Sequence, residues 1–164
     1  MDEILKRVKE EVYDNTNLKI TDFKPEKEST AYEACRFLLN EKPVICRNAK
    51  TTPKKVGQFV TFWKRLGNGP IEPFNEVDNF DFFVINVCNN NRLGQFVFPK
   101  SILIKKGIIT TEQKEGKRGF RVYPIWDLAI SKQATQTQSW QLEYFYEINT
   151  LLDSEFIVEL YNQE

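Results

Sequence analysis

The stretch YEACRFLLNEKPVICRNAKTTPKKVGQFVTFWKR (residues 32–65) decides the fold, because two apolar runs, a turn, a helix-start signal and a dense run of cations follow one another within it. Residues 31–39 and 43–49 are the apolar runs, and Asn40-Glu41-Lys42 between them gives the pattern of a β-hairpin. Thr52 can cap a helix, and Pro53 suits a first helical position, where no N–H is needed; a helix is therefore expected over 53–65. In that helix Val56, Phe59, Val60 and Trp63 form a core-facing stripe, and Lys54, Gln58, Thr61 and Arg65 an outward one. Lys42, Arg47, Lys50, Lys54, Lys55, Lys64 and Arg65 stand in residues 42–65 with no Asp or Glu among them.

Outward from this stretch, Ile4, Leu5, Val8 and Val12 predict an amphipathic helix over 3–14. A short strand is expected over 18–23, ended by Pro25. Residues 66–76 read as a loop. Residues 80–87 and 94–98 are the strongest strand signals and the expected centre of the sheet, joined by a turn at Asn89 to Arg92. A short helix over 99–106 stops at Gly107, a strand follows over 119–124, and helices are expected over 133–148 and 151–161. The sum is one α/β (α+β) domain spanning residues 1–164, with a mixed, largely antiparallel central sheet flanked by helices.

The chain has 164 residues and no formal net charge, but the signs are segregated. Residues 100–121 carry Lys100, Lys105, Lys106, Lys114, Lys117, Arg118 and Arg121 against Glu112 and Glu115, whereas residues 139–164 carry carboxylates and no Lys or Arg. Such segregation offers phosphate one face and repels it from another, and the acidic tail could dock on the basic face and mask it. The absence of His excludes Ser/His/Asp hydrolysis, Cys/His proteolysis and His-bound zinc. A metal would have to be a hard cation on oxygen ligands, such as magnesium or manganese. Cys35, Cys46 and Cys88 are widely spaced and suit a reducing compartment. With neither a signal-peptide pattern nor a long apolar run, a soluble cytoplasmic location without membrane contact is expected.

The hairpin also holds a possible site. Glu33 on one expected strand, Asn48-Ala49-Lys50 on the next and helices behind them resemble the PD-(D/E)XK nuclease superfamily. That resemblance implies carboxylates holding magnesium or manganese, and a Lys that stabilises charge on phosphate. As a nuclease the chain would use Glu33, Asn48 and Lys50, with Glu33 and Asp81 as metal ligands and Glu11 or Glu41 adding charge. Asn48 departs from the pattern, which requires Asp or Glu there.

A second resemblance covers nearly the whole chain. CRNAKTTPKKVGQFVTFWKR, PIEPF, GQFVFPKSILIKKGII, GKRGFRVYPIWD and TQSWQ, in this order, resemble the MepB family of small bacterial proteins. That resemblance implies a cytoplasmic protein whose structural relatives bind nucleic acid. The matching polar positions are Arg47, Lys50, Thr52, Lys54, Lys55, Gln58, Lys64, Arg65, Lys100, Arg118, Arg121 and Gln138, and Lys117 lies in the same basic loop as Arg118. Cations at these positions would neutralise phosphates while amides and hydroxyls position the backbone. Trp63, Tyr123, Trp126 and Trp140 are either base-stacking groups or core anchors.

The expected function is nucleic-acid binding through the phosphate backbone, without catalysis and without a cofactor. A metal-dependent nuclease is the enzymatic alternative, and a module binding an acidic protein or a small anion is the third.

Overall fold

Alternation of apolar side chains builds a large sheet that is buried on both faces, in a computed structural model that describes residues 1–163. The first helix, α1 (Glu3–Glu11), starts at Asp2, whose carboxylate accepts from the Ile4 amide at 3.2 Å, and it buries Leu5 and Val8. Strands β1 (Ile20–Pro25), β2 (Cys35–Leu39) and β3 (Lys42–Asn48) follow as an antiparallel set. The β2–β3 hairpin is the expected one, with a tighter turn: Asn40 and Glu41, at φ +47° and +71°, form a two-residue loop.

The helix expected over 53–65 is replaced by strands. β4 (Lys50–Thr52) and β5 (Lys55–Thr61) are antiparallel, joined through Pro53 and Lys54, and β6 (Trp63–Arg65) pairs with β7 (Ile71–Pro73) in what was read as a loop. Lys54 has φ +68°, so Pro53-Lys54 occupies the centre of a turn that Pro favours first and a left-handed residue second. Gln58, Val60 and Phe62 alternate inward, and Val56, expected in the core, is 42% exposed. The run Phe59-Val60-Thr61-Phe62-Trp63 is β-branched and aromatic throughout, and that preference prevails over the cap signal.

β8 (Phe82–Asn89) runs parallel to β3, so β4 to β7 are the crossover between them, and β9 (Arg92–Pro99) completes a hairpin with β8. A short helix, α2 (Lys100–Lys105), ends at Gly107, whose φ of +68° few other residues adopt. β10 (Gly119–Val122) joins β5 and β4 in a three-stranded sheet. The helix expected over 133–148 is shorter: α3 (Lys132–Gln141) gives way to a 3-10 turn, and Phe145-Tyr146-Glu147 forms β11 (Phe145–Glu147) along the free edge of β9. α4 (Ser154–Tyr161) closes the chain.

The six-stranded sheet has the order β1-β2-β3-β8-β9-β11, and among its neighbours only β3 and β8 are parallel. One face, with Phe37, Val44, Phe82, Val84 and Val97, packs on α1 and α4. The opposite face, with Ile45, Phe83, Ile85, Phe96 and Phe98, packs under the three-stranded sheet and α2. Phe62 stacks on Phe83 at 4.0 Å and meets Phe120 edge-on at 6.3 Å, joining the two sheets. The last helix of the acidic tail therefore does not mask the face of the small sheet: Ile157, Leu160 and Tyr161 fix α4 to the α1 side, across the sheet from β10, whereas Trp140, Leu142 and Phe145 of the same tail pack on the β10 side. The chain is a single mixed α+β domain, and no described helix is long and apolar enough to cross a membrane.

A polar row crosses the α1 face. Asn48, Asn86, Gln95 and Tyr146 are successive partners on β3, β8, β9 and β11. Asn48 donates to Asp2 at 2.8 Å, Asn86 to Asn48 at 3.0 Å and Gln95 to Asn86 at 2.8 Å. The hydroxyls of Tyr13, Tyr146 and Tyr161 donate to Gln95 Oε1. Burial pushes the pKa of all three tyrosines upward, so each keeps the proton it donates. Such a row is tolerable in a core because each member has a partner.

Candidate functional site

Some of the basic side chains of the sequence gather in two places. The first is a groove between β10 and α3. β10 alternates Phe120 and Val122 inward, which leaves Arg121 and Tyr123 on the outer side. The end of α2 brings Lys106, the loop before β10 brings Lys117, and α3 supplies Ser131, Thr137 and Trp140. This compartment is about 390 Å³, and a second of about 340 Å³, lined by Lys55, Val56, Arg121, Tyr123 and Ile130, shares Arg121, Tyr123, Ser131 and Ala134 with it. No carboxylate lines either compartment, and among the described residues Lys55, Lys106, Lys117 and Arg121 make no ion pair.

Each cation is placed by a local cause. The Lys106 ammonium lies 5.3 Å from the centre of the Trp140 ring, a cation–π contact that holds it over the groove. Arg121 donates to the carbonyls of Val56 at 3.2 Å and Gly57 at 3.3 Å, and to the Thr52 hydroxyl, which fixes its guanidinium across the β4–β5 turn. Ser131 caps α3 by accepting from the Ala134 amide at 3.1 Å, so the positive end of the helix faces the cations. Tyr123 is held from behind: a Cβ on Gly57, which has φ +84°, would come within 2.7 Å of the Tyr123 ring.

The second place is a cavity of about 990 Å³ lined by Lys24, Lys27, Arg36, Arg47, Lys64 and Arg65 together with Glu26 and Glu28. Of these cations Lys27 makes no ion pair among the described residues, and the others are paired, Lys24 with Asp22 at 3.6 Å. Arg36 and Arg47 pair with Glu26 at 2.6 and 3.3 Å, Arg65 with Glu28 at 3.0 Å, and Lys64 with Asp78 at 2.7 Å. Arg47, read as a phosphate contact, is 1% exposed and donates to the carbonyls of Thr61 at 2.7 Å and Trp63 at 3.2 Å. Burial lowers its pKa while Glu26 opposes the shift. Gln58, placed on the outward stripe, is also 1% exposed and donates to the Cys88 carbonyl at 3.0 Å. Neither presents its polar group to a ligand.

The other expected contacts are dispersed. Lys50, Phe59 and Arg121 are cross-strand partners on the small sheet, and the Lys50 ammonium sits 5.2 Å from the Tyr32 ring centre. Lys54 is exposed on the β4–β5 turn. Thr52 accepts from Arg121. Arg118 pairs with Glu115 at 3.1 Å. Lys100 donates to the Asp78 carbonyl with its ammonium 5.0 Å from the Phe80 ring centre. Gln138 donates to the carbonyls of Pro124 at 3.0 Å and Asp127 at 2.9 Å, tying the loop after β10 to α3. Trp63 lines the second cavity, and Trp126 packs against Phe145 at 6.0 Å. Lys106, Ser131 and Thr137 were absent from the sequence-based set; Lys106 had a signal, as part of the basic run after residue 100.

The nuclease-like positions do not face one another. Glu33 ends a 3-10 turn at φ +48° before β2 begins, and it is exposed. Asn48 projects to the α1 face, whereas Lys50 belongs to the sheet that covers the opposite face. Asp81 caps no such group; its amide donates to Pro43 at 2.8 Å, and Glu11 pairs with Arg7 at 2.8 Å. Glu41 lies in the β2–β3 turn. Among the described residues there is no group of three or more Cys, Asp or Glu placed to hold a metal ion.

Residues 26–147 match the MepB-like family. The crystal structure of MepB has 37% sequence identity to this chain, matches it over 92% of this chain and 99% of its own, and superimposes with a TM-score of 0.78. No curated protein matches the chain. Family match and structural match agree, and the chain belongs to the MepB-like family.

Proposed function

We propose that the chain binds nucleic acid without acting on it chemically, holding the phosphate backbone in the groove between β10 and α3. The observation that supports this reading is the convergence there of Lys55, Lys106, Lys117 and Arg121 with no carboxylate to neutralise them. A surface lysine needed only for solubility is indifferent to its neighbours; four cations and a helix N-terminus directed at one concavity repel one another unless an anion sits between them. The fixed Arg121 guanidinium suits bidentate contact with a phosphate, and Lys106 and Lys117 add mobile point charges. A cytoplasmic location is part of the same proposal, and the free thiols of Cys35, Cys46 and Cys88 are compatible with it.

The test is a fluorescence-anisotropy titration of labelled oligonucleotides in chelator across a salt series. Affinity should fall with salt at a log–log slope of about −0.9 per phosphate contacted on duplex, or about −0.7 on a single strand. Lys106→Glu/Lys117→Glu should weaken binding and flatten the slope while the protein melts normally. Absence of binding at low salt, or a slope unchanged in the double variant, would reject the groove as a phosphate site.

A further inference from the structure

The cavity beside Arg47 holds more positive charge than its partners offset. Arg36 and Arg47 share a single carboxylate: Arg36 Nε donates to Glu26 Oε1 at 2.6 Å, and Arg47 Nη2 donates to Oε2 at 3.3 Å. Lys27, on the same wall, makes no ion pair among the described residues. The remaining cations are matched, Lys64 by Asp78, Arg65 by Glu28 and Lys24 by Asp22. Two positive charges are therefore left over, one on the two arginines around Glu26 and one on Lys27.

Phe74 keeps the two guanidiniums together. Their centres lie 5.6 Å (Arg36) and 6.0 Å (Arg47) from the centre of its ring, which is buried. The fold does not fully meet the Arg47 charge, because its buried Nε–H has no hydrogen-bond partner among the described residues. Burial lowers the pKa of Arg47, and the neighbouring charge of Arg36 acts in the same direction. Two cations on one carboxylate repel each other unless a further anion joins them.

Arg36 is the group free to take that anion. It uses only its Nε for Glu26, so the two terminal nitrogens, on a side chain 43% exposed, remain as a planar fork for a second carboxylate. Trp63 and Phe74 add apolar wall to a space of about 990 Å³, near the upper end of the roughly 300–1,000 Å³ typical of small-molecule sites. An inorganic anion would meet the charge but leave that wall uncovered.

We infer that this cavity is a binding site for a small organic dicarboxylate, with one carboxylate on the terminal nitrogens of Arg36, the other on Lys27, and the carbon chain against Trp63. Arg47 stays the buried charge behind Arg36 and makes no contact itself. The site shares no lining residue with the groove between β10 and α3 and does not depend on what that groove binds.

The full chain is titrated by calorimetry at low salt with the straight-chain dicarboxylates from malonate to adipate, with the diamide and the monocarboxylate of matching length, and with inorganic phosphate. One member of the series should bind, and its diamide should not. Arg36→Gln should weaken that acid about ten- to 150-fold, the range for hydrogen bonds to a charged group, and Lys27→Gln should reduce its advantage over the monocarboxylate. Amide spectra of the unaltered protein locate the acid independently of either variant, with shifts expected on Lys27, Arg36, Trp63 and Arg65. Absence of binding across the series, equal binding of acid and diamide, shifts centred elsewhere, or unchanged affinity in Arg36→Gln would each overturn the assignment. So would phosphate binding as tightly as the best acid, since the cavity would then select charge alone.

Discussion

Arg47 shows how a cation can belong wholly to the fold. At 1% exposure its guanidinium is held by Glu26, by the carbonyls of Thr61 and Trp63, and by the hydroxyls of Ser29 and Thr61. It stitches β3 to the β5–β6 segment. Replacement by Met keeps most of the volume but leaves one Glu26 oxygen and two carbonyls without the donor that Arg47 supplies, so Arg47→Met should lower stability by about 3 kcal/mol, read by urea denaturation. Oligonucleotide affinity per folded molecule should not change, because Arg47 lies outside the groove. Its position in the sequence gave no warning: Arg47 is adjacent to Asn48 and close to Lys50, and its partner Glu26 lies 21 residues away. Alternation along β3 does place Arg47 on the same face as Ile45, and so on the buried side, but the chain shows that only once the covering layer is known.

At the level of elements, the parts with a consistent apolar pattern bounded by a turn or stop signal were legible. The β2–β3 and β8–β9 hairpins, α1, α2 and β10 overlap the stretches predicted for them, although β2 starts only at Cys35, after a 3-10 turn that takes up residues 30–32, and α1 ends at Glu11. Two of the misread segments carry conflicting local signals. Thr52-Pro53 opens a turn in place of a helix, because Lys54 turns back and Phe59 to Trp63 prefer an extended chain. Phe145-Tyr146-Glu147 leaves the helical pattern because the edge of β9 offers it a ladder of hydrogen bonds, a tertiary cause that no local window contains. The end of that added strand has a pH dependence. Arg92 donates to Glu147 at 2.7 and 2.6 Å and holds its carboxyl below the usual range. A depressed carboxyl pKa adds stability above the unfolded value, about 4.3 for Glu, and that stability is lost as pH falls through the folded value. Wild type should therefore be more stable than Glu147→Gln at neutral pH, by a modest margin because the pair is partly exposed. The margin should close on acidification below pH ~4; a margin independent of pH in paired urea melts would show that the ion pair does not couple to folding.

Across the whole molecule, the large sheet separates two differently built faces. Its α1 face carries the aligned polar row and the acidic terminal helix, and its other face carries the small sheet from which the groove is made. The groove draws Lys55 from the β4–β5 turn, Lys106 from the end of α2, Lys117 from a loop and Ser131 from the start of α3. The sign and abundance of these cations were visible in the sequence, and Lys55, Lys117 and Arg121 were among those selected. Their separation from Arg47, Lys64 and Arg65 was not, because it depends on Glu26, Glu28 and Asp78 arriving from other elements to pair with those three. Convergence of this kind is a property of the fold, and in the groove no carboxylate offsets it.

The location of the bound strand tests this account most directly. In amide spectra of the labelled protein titrated with a single-stranded oligonucleotide, the largest shifts should fall on Lys55, Val56, Lys106, Lys117, Arg121, Tyr123 and the first turn of α3. Residues of α1, α4 and the Glu26–Arg47 cavity should stay unmoved. Shifts centred on that cavity, on the α1 face, or spread evenly over every exposed lysine would contradict the assignment of the groove as the binding site.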